Sequence, residues 1–134
     1  MTALPSPQMS WRKVLVVDDD EDIRATVASV LRDMEFLVEE ACDGRQALVW
    51  LRGHLGGASV VLLDLMMPVM DGKSFLTAKA GDPLIAGVPV VVVTASGTCA
   101  DIVRDHDVRG CLKKPFSVEE LVRAVNGSSA NIAA

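Results

Sequence analysis

Nearly uninterrupted apolar runs, rather than alternating ones, mark the strands of this chain. Val14–Val17, Val60–Leu63 and Val88–Val93 are almost entirely aliphatic, and a weaker run covers Phe36–Val38. Strands of this kind are buried on both faces, as in parallel sheets that are covered by helices. A short fifth strand is predicted at Cys111–Lys113.

Apolar residues at helical spacing lie between these strands. They predict three amphipathic helices, whose apolar stripes are Ile23, Val27, Val30, Leu31 and Met34; Ala47, Leu48, Leu51 and Leu55; and Val118, Leu121, Val122 and Val125. Ser117 and Glu120 form a capping-box pattern at the start of the third stripe. A further helix is expected to begin near Asp71 or Gly72, and a short polar one should cover about Thr98–Asp107.

The alternation of strands and helices predicts an α/β fold. Right-handed crossovers between the strands give a parallel sheet with helices on both faces. We expect the doubly wound, flavodoxin-like strand order 2-1-3-4-5, in which ligands bind beyond the carboxyl ends of strands 1 and 3. The expected domain covers residues 12–126, with flexible tails, or a truncated linker at the C-terminal end, at 1–11 and 127–134.

Composition narrows the class of protein. Half of the 134 residues are hydrophobic and the net charge is −5, which argues against a nucleic-acid or anionic-lipid surface. No segment is apolar enough to span a bilayer or act as a secretory signal, so we expect a cytoplasmic location.

The three cysteines, Cys42, Cys99 and Cys111, are odd in number and lack metal-binding spacing. We therefore expect reduced, buried thiols rather than disulfides.

Polar residues follow the carboxyl ends of four predicted strands. Asp18 and Asp19 follow strand 1, Asp64 follows strand 3, Thr94 follows strand 4 and Lys114 follows strand 5. Crowded carboxylates need a counter-charge, and oxygen ligands without nearby His or Cys select a hard cation such as Mg²⁺, with Mn²⁺ as an alternative. Mg²⁺ keeps water and phosphate oxygens among its ligands. This edge of the sheet could therefore hold a phosphoryl group that is contacted by the Lys114 ammonium and the Thr94 hydroxyl.

Four motifs make the chemistry more specific. VLVVDDDEDIR, VVLLDLMMPVMDG, VVVTAS and CLKKPF occur in this order within residues 12–126. Together they resemble the response-regulator receiver domains of two-component signalling. The resemblance implies that Asp64 is the phosphoacceptor and that Mg²⁺ is bound by Asp19, Asp64 and the backbone carbonyl of Met66, and through water by Asp18. It further implies that the phosphoryl group is contacted by Thr94, Ala95 and Lys114, the last of which precedes a cis Pro115.

The resemblance also implies the partners and the activity. The donor would be a phosphohistidine on a sensor histidine kinase or histidine phosphotransfer protein, and a downstream protein would bind the face made by helix 4, strand 5 and helix 5. The chain would be a monomer or a phosphorylation-dependent dimer, and would promote only its own phosphorylation and dephosphorylation. Met66 and Ser96 are expected to tune the lifetime of the acyl phosphate. The sequence leaves open a stand-alone receiver or a piece of a larger regulator or hybrid kinase.

One switch position departs from the family pattern. Receivers commonly carry Tyr or Phe three residues before the lysine that corresponds to Lys114, whereas this chain carries Cys111 at that position. An interaction module with an altered or phosphorylation-independent switch is therefore an alternative.

An aspartyl phosphatase using Mg²⁺ is disfavoured because it would need a second aspartate at the position of Met66. An FMN-binding protein is disfavoured because the acids after strand 1 would repel the phosphate.

Overall fold

The computed structural model describes residues 12–67, 70–95 and 99–127. Within these ranges five strands and five helices alternate. The strands are β1 (Lys13–Val17), β2 (Leu37–Ala41), β3 (Val60–Asp64), β4 (Val90–Thr94) and β5 (Gly110–Lys113). The helices are α1 (Glu21–Asp33), α2 (Gly44–Gly53), α3 (Gly72–Ala80), α4 (Cys99–Asp105) and α5 (Val118–Asn126). The predicted tail at 1–11 and Ser96 lie outside the described residues, as do residues 128–134 of the predicted tail at 127–134, whereas Gly127 caps the end of α5. No helix in the described ranges could cross a membrane.

The strands form one parallel sheet in the order β2-β1-β3-β4-β5, which confirms the predicted topology. Its register pairs Asp64 with Val93 and Thr94 with Lys113. β3, β4 and β5 therefore end at the same edge of the sheet, and Thr94 lies one residue beyond the partner of Asp64. This register brings the predicted site residues to one edge of the sheet.

The sheet separates two apolar cores. On one side α2, α3 and α4 contribute, among others, Leu51, Phe75 and Ile102, each at most 2% exposed. On the other side α1 and α5 contribute Leu31 and Val125, which are fully buried. Burial on both faces is why the central strands are continuous apolar runs.

Side-chain caps determine where the helices begin. The Asp20 carboxylate accepts a hydrogen bond from the Ile23 backbone N–H at 3.1 Å, and Asp71 caps α3 in the same way. Ser117 and Glu120 form both hydrogen bonds of the predicted capping box. The capping box was read correctly from the sequence, since a capping side chain and the backbone N–H that donates to it lie within one helical turn.

The sequence predicted the ends of several helices and strands less accurately. Ile23 and Met34, at the ends of the predicted α1 stripe, are each 41% exposed, and Leu55 lies beyond the end of α2. β4 begins after Pro89, which has no N–H for a strand ladder. Helix α4 ends at Asp105, two residues before the predicted end.

The prediction of reduced, buried thiols is wrong. Cys99 and Cys111 form a disulfide with their Cα atoms 5.7 Å apart. Cys42 is a free thiol, but it is only half-buried. The disulfide was missed because the first residue of α4 meets β5 only after the helix has packed on the sheet, an approach that residue spacing does not reveal.

Candidate functional site

Three carboxylates meet at the carboxyl edge of the sheet. Oxygen atoms of Asp18, Asp19 and Asp64 lie within 4.8 Å of one another. Asp18 and Asp64 are 6% and 8% exposed, whereas Asp19 is exposed. Asp64 ends β3, and the other two acids follow the adjacent strand β1. The structure therefore brings together the three acids that the sequence predicted to share a site.

Hydrogen bonds of the β1–α1 loop orient Asp18. The Asp20 backbone N–H donates to Asp18 Oδ1 at 2.9 Å, and Arg24 Nη1 donates to the Asp18 carbonyl at 2.9 Å. Arg24 Nε also donates to Glu40 at 3.1 Å. Sequence reasoning missed this positioning role of Arg24, because its two acceptors come from two different loops or strands. A cation in the first turn of the helix after the acidic run was the available signal.

Asp64 is buried beside both like and opposite charge. The pKa of Asp64 is raised from 3.8 to about 6: burial raises it most, the hydrogen bond from the Met66 N–H lowers it, the Asp18 carboxylate raises it and Lys114 lowers it. The Met66 N–H donates to Asp64 Oδ1 at 3.2 Å, and Lys114 Nζ lies 3.9 Å from Asp64 Oδ2. Burial and Asp18 therefore outweigh the stabilisation that Lys114 gives to the charged carboxylate.

The donor set fits a hard divalent cation. The cluster offers three carboxylates and no nitrogen or sulfur ligand. Burial and the neighbouring Asp18 carboxylate raise the pKa of Asp64, so a cation bound here would stabilise its charged form. Oxygen-only sites of this kind suit Mg²⁺ or Mn²⁺.

The other predicted residues lie on the ends of β4 and β5. Thr94 is 2% exposed, and its carbonyl accepts a hydrogen bond from the Lys114 backbone N–H at 2.8 Å. Ala95 is exposed directly after Thr94, and the Lys114–Pro115 bond is cis, as the resemblance implied. This main-chain bond keeps the predicted hydroxyl and ammonium residues on adjacent strand ends.

The β3–α3 loop depends on a glycine whose role the sequence did not reveal. The Gly72 N–H donates to the Leu65 carbonyl at 2.9 Å, and a Cβ on Gly72 would lie 2.7 Å from the Leu65 Cα. The Gly72–Leu65 hydrogen bond closes a loop that contains Met66. This residue is 74% exposed, although its backbone N–H donates a hydrogen bond to Asp64. The Met66 side chain is therefore available at the mouth of the site.

Comparisons with known proteins agree on one family. Residues 14–126 match the profile of the family described as the response regulator receiver domain. A response regulator of Synechocystis sp. is 36% identical over 112 residues, which cover 81% of this chain and 47% of that protein. The chemotaxis protein CheY of Pseudomonas aeruginosa is 34% identical over 125 residues, which cover 86% of this chain and 99% of that protein.

A solved structure supports the same grouping. The chemotaxis protein CheY4 of Vibrio cholerae superposes with a TM-score of 0.76 at 33% identity, covering 85% of this chain and 95% of that one. The chain spans about half the length of the Synechocystis relative and nearly all of the Pseudomonas protein.

Proposed function

The chain belongs to the response regulator receiver domain family, a family of signalling domains in two-component systems, and on this premise we propose that Asp64 is its phosphoacceptor. The observation that carries the proposal is the placement of Asp64. Its carboxylate is buried at the end of β3, within reach of two other carboxylates and 3.9 Å from an ammonium. No other acid among the described residues combines these features.

The proposed reaction is transfer of a phosphoryl group from a phosphohistidine of another protein. An oxygen of the Asp64 carboxylate attacks phosphorus, the P–N bond breaks, and the leaving imidazole nitrogen keeps the electron pair and takes a proton. Such transfers depend mainly on positioning and on charge neutralisation. Lys114 supplies positive charge next to the attacking carboxylate, while Thr94 and Ala95 would contact the phosphoryl oxygens. Water later hydrolyses the acyl phosphate and restores the carboxylate.

The acidic cluster would hold the metal that this chemistry needs. We assign Asp19, Asp64 and the backbone carbonyl of Met66 as direct ligands and Asp18 as a ligand through water. Bound Mg²⁺ would neutralise the carboxylate oxygens and the incoming phosphoryl oxygens together. The hydrogen bonds from the Asp20 N–H and Arg24 hold Asp18 toward the cluster, so the chain itself orients these oxygens.

The wider assignments follow from the family. The signalling domain would comprise residues 12–126, receive its phosphoryl group from a sensor histidine kinase or phosphotransfer protein, and act in the cytoplasm as a monomer or phosphorylation-dependent dimer. It would not be an enzyme acting on other substrates. A downstream protein would bind the face made by α4, β5 and α5. The chain could work alone or within a larger regulator or hybrid kinase.

A second candidate is a receiver with an altered switch. Cys111 occupies the β5 position where the family commonly has an aromatic residue, and it is bonded to Cys99. In the family this aromatic side chain swings inward when the phosphoryl group is bound, a movement that a cysteine held in a disulfide cannot make. Phosphorylation could then proceed at Asp64 while the α4–β5–α5 face responds differently or not at all.

The decisive experiment is phosphorylation with acetyl phosphate and Mg²⁺, read by intact mass. We expect one phosphoryl adduct on the native chain, none on Asp64→Asn, and an undiminished adduct on Asp22→Asn, which removes an exposed acid from α1. Chelation of Mg²⁺ should abolish the adduct. An absent adduct with both acetyl phosphate and a phosphohistidine donor, or an equal adduct on Asp64→Asn, contradicts the proposal.

Dephosphorylation tests the two residues assigned to phosphoryl lifetime. Alanine at Met66 or at Ser96 should change the rate at which purified phosphoprotein loses its adduct, because each position is expected to admit or block water. Rates equal to that of the native chain in both variants would remove this role.

A further inference from the structure

The disulfide lies within the segment that connects two residues of the proposed site. Cys99 is the first residue of α4 and Cys111 is the second residue of β5, twelve positions later. Thr94 precedes this segment and Lys114 follows it. The bond therefore ties the start of α4 to the strand that leads directly to the site ammonium.

Among the described residues, α4 contributes little buried surface to the core. Its seven residues include one buried side chain, Ile102, which is 1% exposed. Arg104 forms ion pairs with Asp101 and Asp105, but these belong to α4 itself and do not attach the helix to its neighbours. An element with so few buried contacts opens locally at a low free energy. Within the part of the chain that the structure describes, the disulfide and the buried Ile102 side chain thus hold α4 against its neighbours.

Neither residue of the disulfide is fully buried. Cys99 and Cys111 are each partly exposed rather than buried. Disulfides are rare in a reducing cytoplasm, and those that occur there are usually transient and redox-sensing. The cytoplasmic location proposed above therefore favours a bond that is made and broken during the life of the protein.

We propose that Cys99 and Cys111 form a reversible redox modification site, whose oxidised form restrains α4 against β5 and slows phosphoryl transfer to Asp64. The effect on Asp64 rests on the proposed function, whereas the restraint does not. In the proposed function Thr94 and Lys114 contact the phosphoryl oxygens, so both side chains would adjust when these atoms arrive. A covalent link within the segment that joins them opposes this adjustment.

The redox step needs a dithiol as reductant. One thiolate of the dithiol attacks a sulfur of the protein disulfide, the S–S bond breaks, and the other cysteine leaves as a thiolate that takes a proton. The second dithiol sulfur then displaces the first cysteine. Two electrons pass to the protein, which gains two thiols, and the dithiol becomes a disulfide. The reverse exchange with an oxidised dithiol restores the bond.

The first test measures the restraint without phosphorylation. Protein carrying Cys42→Ser is equilibrated in buffers of reduced and oxidised dithiothreitol, and its thiols are counted with maleimide. Reduced samples should carry two adducts and oxidised samples none. Amide exchange over residues 99–113 should be about tenfold faster in the reduced form, with β1 equally protected in both. Adding Cys99→Ser and Cys111→Ser should give the faster exchange in both buffers.

The second test follows phosphorylation by acetyl phosphate in the same samples. We expect the reduced form to be phosphorylated at least about threefold faster, and the form that also carries Cys99→Ser and Cys111→Ser to be fast in both buffers. Equal exchange in the two redox states, or loss of protection throughout the sheet on reduction, overturns the restraint. A rate that is equal or slower after reduction overturns the link to Asp64. If no adduct forms in either redox state, with acetyl phosphate or with a phosphohistidine donor, the proposed function is refuted instead, while amide exchange still decides whether the restraint exists.

Discussion

Replacing Asp64 by asparagine should stabilise the metal-free protein at neutral pH. The carboxylate is 8% exposed and lies beside Asp18, so its charge is both poorly hydrated and repelled. Asparagine keeps the shape of the side chain and removes the charge. The variant therefore loses the proposed phosphoacceptor, but its free energy of unfolding is larger than that of the native chain.

The magnitude follows from the pKa of the carboxyl. Folding raises it from 3.8 to about 6, and each pKa unit corresponds to about 1.4 kcal/mol. The ionised group then lowers the free energy of unfolding by up to about 3 kcal/mol, and solvent screening at the mouth of the site reduces this to about 1–3 kcal/mol. The folded state binds this proton more tightly than the unfolded state. The free energy of unfolding of the native chain therefore falls as the pH rises from about 4 to about 6. The gain from Asp64→Asn should be complete above about pH 7 and nearly absent below about pH 4.

Urea denaturation in EDTA at neutral and acidic pH measures this gain. Asp33→Asn is the matched control, since it removes one charge at the exposed end of α1 and should change stability little. Added Mg²⁺ should stabilise the native chain and narrow its difference from Asp64→Asn, because ligand binding to the folded state raises stability. A variant no more stable than the native chain at neutral pH in EDTA, or a gain that does not depend on pH, would refute the reasoning.

Three further substitutions separate the contributions of the site and the scaffold. Lys114→Ala removes the ammonium 3.9 Å from Asp64, so the pKa of that carboxyl should rise further and phosphorylation by acetyl phosphate should slow at least about tenfold; an unchanged rate contradicts this. Gly72→Ala places a Cβ 2.7 Å from the Leu65 Cα and should cost about 1–3 kcal/mol in urea denaturation and weaken Mg²⁺ binding in titrations; native-like values for both would show that the loop adapts. Ser117→Ala removes the α5 cap and should cost about 1 kcal/mol while Mg²⁺ affinity stays unchanged, so a weakened affinity would argue against a purely local effect.

The order and type of the elements could be predicted from the sequence because their signals are local. A doubly buried strand shows itself as an apolar run, and a helix start as a capping residue followed three positions later by its backbone donor. β2 was predicted too short because it is an edge strand whose last residues include Glu39 and Glu40, which carry the polarity of an exposed surface. Topology then brought Asp18, Asp19 and Asp64 to one edge, since parallel strands all end on the same side of a sheet.

What depended on the tertiary structure was every property set by elements that are distant along the chain. The sequence alone determined the alternating α/β order, the helix caps and the identity of the acids at the strand ends. Folding decided that Asp64 titrates near pH 6, that Arg24 binds the Asp18 carbonyl and that Lys79 is buried with its ammonium on the Ala86 carbonyl at 2.8 Å. It also decided that Cys99 meets Cys111. Burial, electrostatic environment and disulfide pairing arise only when separate elements pack together, so local residue patterns do not contain them.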